Sequence, residues 1–169
     1  MHPSDVIAIA RSFLGTPFVL DGRVKGQGID CGGLIVGVFR EAGLACPDPL
    51  PLDGGESVSG QAAVAPAKAL ANAREGERPG DLTDIMARFG GEAFRPVEDE
   101  MREGDVLEFA TRYQRNHLAI LTRPPQGAEP GWILHAWDSP SFRCVVEHPM
   151  NGWWLSRLHS VWRHRNLSK

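Results

Sequence analysis

Cysteine is scarce in this sequence. Three occur in 169 residues: Cys31, Cys46 and Cys144, an odd number without the close spacings of a disulfide framework or a zinc site, so reduced thiols are expected. Long apolar runs are also missing. The stretch "MHPSDVIAIARSFLG" holds only Val6 to Ala10 between Asp5 and Arg11, too short for a secretory core and far too short to span a membrane. Read as it stands, the chain is expected to be synthesised in the cytoplasm without a signal peptide, reaching any outside target by release or by a delivery device. Neither sign of charge dominates. A formal net charge of -3 speaks against a broad nucleic-acid surface, and the basic cluster Arg157, Arg163, His164, Arg165 and Lys169 reads as a solvated end. The phosphate-cradling pattern GxxxxGK[ST] is absent. "GESVSG" is a poor nucleophile elbow, with its second glycine one place late and no strand before it.

What is present is the composition of an ordinary globular domain, 42% apolar and 23% charged. A chain of this length buries roughly 70% of the surface it exposes when unfolded, so a single domain over 1–169 needs no metal or disulfide to hold it. Ser4 followed by "DVIAIARSFLG" predicts a capped amphipathic helix closed by Gly15. The Gly- and Pro-rich "TPFVLDGRVKGQGID" predicts a surface loop, and Leu34, Ile35, Val38, Phe39 and Ala42 recur at helical spacing up to Gly43. Residues 44–62 read as a surface linker. Two helical patches, 66–76 and 81–90, complete a helical and loop insertion over about 47–100. After it the period changes. "GDVLEFAT", "HLAILTR", "GWILHAW" and "FRCVVEHP" are short β-rich runs between turns. Helices followed by a meander of strands predict an α+β fold with an antiparallel sheet.

The residue that stands out is Cys31, in "GQGIDCGGLIVGVFREAG", at the first turn of the core helix. Unpaired amides at a helix start favour a thiolate, and Gly32 and Gly33 leave the approach open. The position suits equally a small buried side chain filling the core. A cysteine nucleophile needs a base and the base a partner. His117 opens one predicted strand and His135 lies in the next, so antiparallel pairing would bring both to one end of the sheet, facing the helix start. His2, His148, His159 and His164 are set aside: His2 is terminal, His148 precedes Pro149, and the others lie among arginines. Metal binding by Cys31, His117 and His135 is disfavoured by their wide spacing. Glu98, Asp99 and Glu103 fall in a charged run that reads as a solvated lead into a strand rather than a carboxylate pair.

With these residues assembled, the sequence resembles the NlpC-type cell-wall cysteine peptidases, a bacterial and phage branch of the papain-like fold. Those proteins show "LGTPYxxGG", "DCSG", "PGDLxxF", "HVGIYL" and "xIHA" in that order. Here the matching stretches are "LGTPFVLDG", "DCGG", "EGDVLEF", "HLAILT" and "ILHA", covering about residues 10 to 140. The tail "VVEHPMNGWWLSRLHSVWRHR" also looks like the ends of phage-tail members, a weaker match. The resemblance implies Cys31 as nucleophile, His117 as general base and then acid, and His135 as the residue orienting the His117 ring. It implies hydrolysis of peptidoglycan stem peptides, commonly between D-glutamate and diaminopimelate, through an acyl-enzyme and without a cofactor. Asp30 would help hold the free amine of the stem peptide. Phe18 stands where many members carry tyrosine, and Gly32 where serine usually follows the cysteine, so two substrate-side hydroxyls are missing. Two other readings keep the fold: a non-catalytic binding module of a phage tail, and an acyltransferase using the same triad.

Overall fold

Helix α1 (Pro3–Arg11) begins at His2, whose Nδ1 accepts from the Ser4 amide, with Pro3 at the first helical position. The cap is therefore His2 rather than the expected Ser4, because a proline can start a helix but has no N–H to be capped. The computed structural model describes residues 1–48, 86, 91–110 and 117–168. Most of the expected insertion, including the helical patch at 66–76, lies outside the described residues; of the patch at 81–90 only Met86 is described, helical and fully buried. The loop after α1 carries a two-stranded hairpin, β1 (Arg23–Val24) and β2 (Gly28–Ile29), which delivers the chain to α2 (Cys31–Glu41). Asp30 caps α2 by accepting from the Gly33 amide at 2.6 Å, an interaction usually worth about 1 kcal/mol. Past its end, Gly43 takes a positive φ of 71°, the left-handed turn that stops a helix.

Six strands form one antiparallel sheet: β3 (Phe94–Pro96), β4 (Val106–Phe109), β5 (His117–Arg123), β6 (Trp132–Asp138), β7 (Arg143–Pro149) and β8 (Leu158–His164). Their spatial order is β3-β8-β4-β5-β6-β7. A one-turn helix, α3 (Gly152–Leu155), sits between β7 and β8. Both faces of the sheet are covered, which is why the central strands read as nearly continuous apolar runs. Leu118, Ile120, Leu134 and Ala136 join Leu34, Ile35 and Phe39 of α2 in one core. Ala119, Leu121 and Ile133, the alternate residues, join Leu107, Phe109 and Trp154 in a second. Each large side chain so buried contributes about 1.5–3 kcal/mol.

Three sequence expectations change here. Part of the basic end is not solvated: Arg163 and His164 lie in β8 and are buried, whereas Arg165, just past the strand, is exposed and Lys169 lies outside the described residues. Arg163 donates to both carboxylate oxygens of Asp105, at 2.7 and 2.8 Å, and Nη1 to Asp99 at 3.2 Å. In the charged run before β4, Glu98, Asp99 and Glu103 are exposed as expected of a solvated lead, and only its last residue, Asp105, departs from that reading, fully buried as the counterpart of that arginine. Finally, Leu44 and Cys46 open the supposed surface linker yet are buried, because the chain leaving α2 packs back onto the first core.

Candidate active site

Cys31 begins α2 and Asp30 precedes it. The Asp30 carboxylate accepts from the amides of Gly33 (2.6 Å) and Asp21 (2.9 Å) and from Arg23 Nη1 (2.9 Å). This cradle requires glycine at 33: a Cβ there would stand 2.2 Å from the Gly22 carbonyl oxygen. Gly32 follows the cysteine, and Phe18 is half-buried against the first core, its amide donating to the Arg143 carbonyl at 2.8 Å. The residue Cys31 is partly exposed, but its thiol group is enclosed by protein. Burial pushes the thiol up to about 11, with the Asp30 charge adding to the rise. The amides of Leu118, Gly32 and Cys31 itself act in the opposite direction. The helix start therefore does stabilise a thiolate, but desolvation outweighs it.

The Leu118 amide that reaches the sulfur is next in the chain to His117, so the thiol meets β5 at its head. His117 and His135 are both fully buried, and His117 Nε2 lies 2.5 Å from His135 Nδ1. Their rings alternate with Leu118 and Leu134 and so project toward the second core. There Trp154 packs on both, with ring centroids 5.6 Å from His117 and 4.9 Å from His135, and Trp137 stands 4.8 Å from His117. Burial holds the His117 imidazole down to about 3, and the neighbouring His148 adds to the effect. His135 is held well below the ordinary imidazole range by burial, then by His117 and His148. At neutral pH the thiol and both rings are thus uncharged in the resting protein.

A third imidazole continues the chain. His135 Nε2 lies 2.8 Å from His148 Nε2, and His148 Nδ1 lies 2.9 Å from the Pro149 carbonyl. Sequence reading discarded His148 for preceding a proline. The usable signal was the period of "VVEHP": alternation puts His148 on the same face as Val146, and Val146 pairs with His135. Trp154 was also missed; Asn151 holds it by accepting from the Trp153 and Trp154 amides at 3.0 and 3.4 Å. Beyond His148 a cleft of about 470 Å³ opens among Trp137, Phe142, Asn151, Trp153 and Trp154, at the far end of the histidine chain from the thiol. Among the described residues no group of three His, Cys, Asp or Glu side chains is placed to hold a metal ion.

The sequence pattern of the NlpC/P60 family matches residues 15–163. The chain belongs to the NlpC/P60 family. This is a family of cysteine peptidases with the papain-like α+β fold, as the antiparallel sheet and the cysteine at the head of the core helix require. Solved structures agree on the fold. A Staphylococcus aureus protein described as similar to lipoprotein, NLP/P60 family, is 18% identical with a TM-score of 0.56 over 99% of this chain. NlpC1 of Trichomonas vaginalis is 13% identical with a TM-score of 0.55 over 95% of it. This chain spans only 42% and 44% of those two, but 97% of the NlpC/p60 domain of the peptidoglycan hydrolase SagA, at 16% identity and a TM-score of 0.50. A search of curated protein sequences finds no match.

Proposed function

We propose that this NlpC/P60 domain is a cysteine peptidase that hydrolyses amide bonds in peptidoglycan stem peptides, of the D-glutamyl-diaminopimelate type, with Cys31, His117 and His135 as its triad. The observation that supports the reading best is the 2.5 Å contact between His117 Nε2 and His135 Nδ1, which orients one ring by the other next to the strand residue whose amide meets the Cys31 sulfur. In the acylation step the thiol proton passes to His117 as the sulfur bonds to the scissile carbonyl carbon. The tetrahedral oxyanion is stabilised by amides at the start of α2. His117 then returns the proton to the leaving amine as the C–N bond breaks, leaving a thioester. Water attacks the thioester, His117 takes its proton, and the sulfur leaves and is reprotonated.

Asp30 has one carboxylate lone-pair direction left after its three hydrogen bonds, suited to the free amine of a stem peptide. By the family resemblance Phe18 and Gly32 hold substrate-side positions without the hydroxyls that other members carry there, so in this reading recognition rests more on Asp30. Among the described residues no helix is long and apolar enough to cross a membrane; action at the cell wall would follow release or delivery by a phage-like device. Digestion of purified peptidoglycan, read by mass spectrometry of the released fragments, tests the activity. Wild type is expected to cut a stem peptide, and Cys31→Ala to lose at least about 10³-fold in rate with its fold unchanged. The raised thiol pKa also suits a binding module without catalysis. A folded wild type that leaves every stem peptide intact would overturn the peptidase reading.

A further inference from the structure

The donor and acceptor roles along the histidine chain can be read from its outer end. A carbonyl oxygen only accepts, so His148 Nδ1, 2.9 Å from the Pro149 carbonyl, carries a hydrogen. In the neutral ring the other nitrogen is then an acceptor. His148 Nε2 therefore accepts from His135 Nε2–H across 2.8 Å. That makes His135 Nδ1 an acceptor, and it takes the hydrogen of His117 Nε2 across 2.5 Å. The lone pair of His117 is left on Nδ1. Every contact in the chain is satisfied by this single set of tautomers as long as the three rings are neutral. Trp154 encloses all three, its ring centroid 5.6 Å from His148 as well as from His117 and 4.9 Å from His135.

We infer that His148 is a positioning residue that, bonded between the Pro149 carbonyl and His135, sets the tautomer of His135 and through it directs the basic lone pair of His117 to Nδ1. The inference rests on the reading of His117 as the base. His148 touches no reacting atom; it acts by removing the alternative in which His135 donates from Nδ1 and His117 must accept through Nε2. In that alternative the basic nitrogen is occupied by its own orienting partner.

Two substitutions separate the tautomer role from simple packing. His148→Leu fills the space without an acceptor, whereas His148→Gln offers an amide oxygen to His135 Nε2–H. Long-range ¹H–¹⁵N NMR of the histidine rings reads the tautomers directly and needs no substrate. Wild type is expected to show Nε2–H on His117 and His135 and Nδ1–H on His148. His148→Leu is expected to yield mixed tautomers for His135 and to lower kcat roughly 10²-fold, the lower end of what a well-placed general base contributes, with KM within about twofold. His148→Gln is expected to restore both the His135 signal and most of kcat. An Nε2–H tautomer at His148 in wild type, or an unchanged His135 signal in His148→Leu, overturns the inference. If the tautomers behave as stated but wild type cuts no stem peptide, the peptidase reading fails and the positioning chain stands.

Discussion

Charge next to a sulfur is decided at the scale of single residues here. Cys31 has two opposing influences within one helical turn: amides that favour the thiolate, and the Asp30 carboxylate that, with burial, disfavours it. Asp30 cannot simply be dispensed with, since it also caps α2 and anchors Arg23. Asp30→Asn retains an acceptor for the Gly33 amide but removes the charge. The Cys31 thiol should then titrate below its present value of about 11, seen as alkylation by iodoacetamide that accelerates at lower pH than in wild type; an unchanged or raised midpoint would contradict the role given to Asp30. Cys31 and its neighbours were legible in the sequence because helix start, glycines and acid are local signals. The sign of the thiol shift was not, because desolvation depends on β5, more than 80 residues further on.

Among the elements, β8 shows how a strand can hide in a basic tail. Its hydrophobic pattern is weak, and only the fold reveals that Arg163 is matched by Asp105 at the start of β4. The pair ties β8 to the middle of the sheet. Arg163→Met should destabilise the domain by about 3–5 kcal/mol, because it strands the buried Asp105 charge without a partner; urea unfolding measures it, and a loss below about 1 kcal/mol would mark the pair as dispensable. The double change with Asp105→Leu should recover much of that loss, since two apolar groups leave no orphaned charge. By contrast β5, β6 and β7 were readable from the sequence, each a seven-residue strand rich in Val, Ile, Leu and Trp between turn residues. The same strands carry the histidines, and the pairing that joins them is non-local.

For the molecule as a whole, buried neutral groups shape stability against pH. His117 is held down to about 3 and His135 well below its ordinary value, while His164 is lowered by burial despite its hydrogen bond to the Ala45 carbonyl. Each binds a proton more readily unfolded than folded, so stability is full above about pH 6.5 and falls as the pH drops. The loss per group is about 1.4 kcal/mol per pH unit until its folded pKa is reached. The thiols of Cys31 and Cys46, raised to about 11 and about 12, act in the other direction, and stability falls as the pH rises past about 8.5. Urea midpoints at pH 4.5, 7.5 and 10 should therefore be highest at 7.5, with His135→Gln reducing the acid loss. A midpoint that is flat between 7.5 and 4.5 would mean that the imidazoles are not buried neutral.

What the amino-acid sequence determined alone was the set of local decisions: which segments twist into helix or extend as strand, where α2 starts, and that Cys31, His117 and His135 are the reactive types in suggestive places. Those follow from periodicity, caps and turn residues, which act over a few neighbours. Only the tertiary structure decided which faces of the strands meet, so that His148 joins the histidine chain, Trp154 encloses it, and burial leaves thiol and imidazole uncharged. Those properties arise from removing water between segments distant in the chain, and no local pattern of residues records how much water is removed.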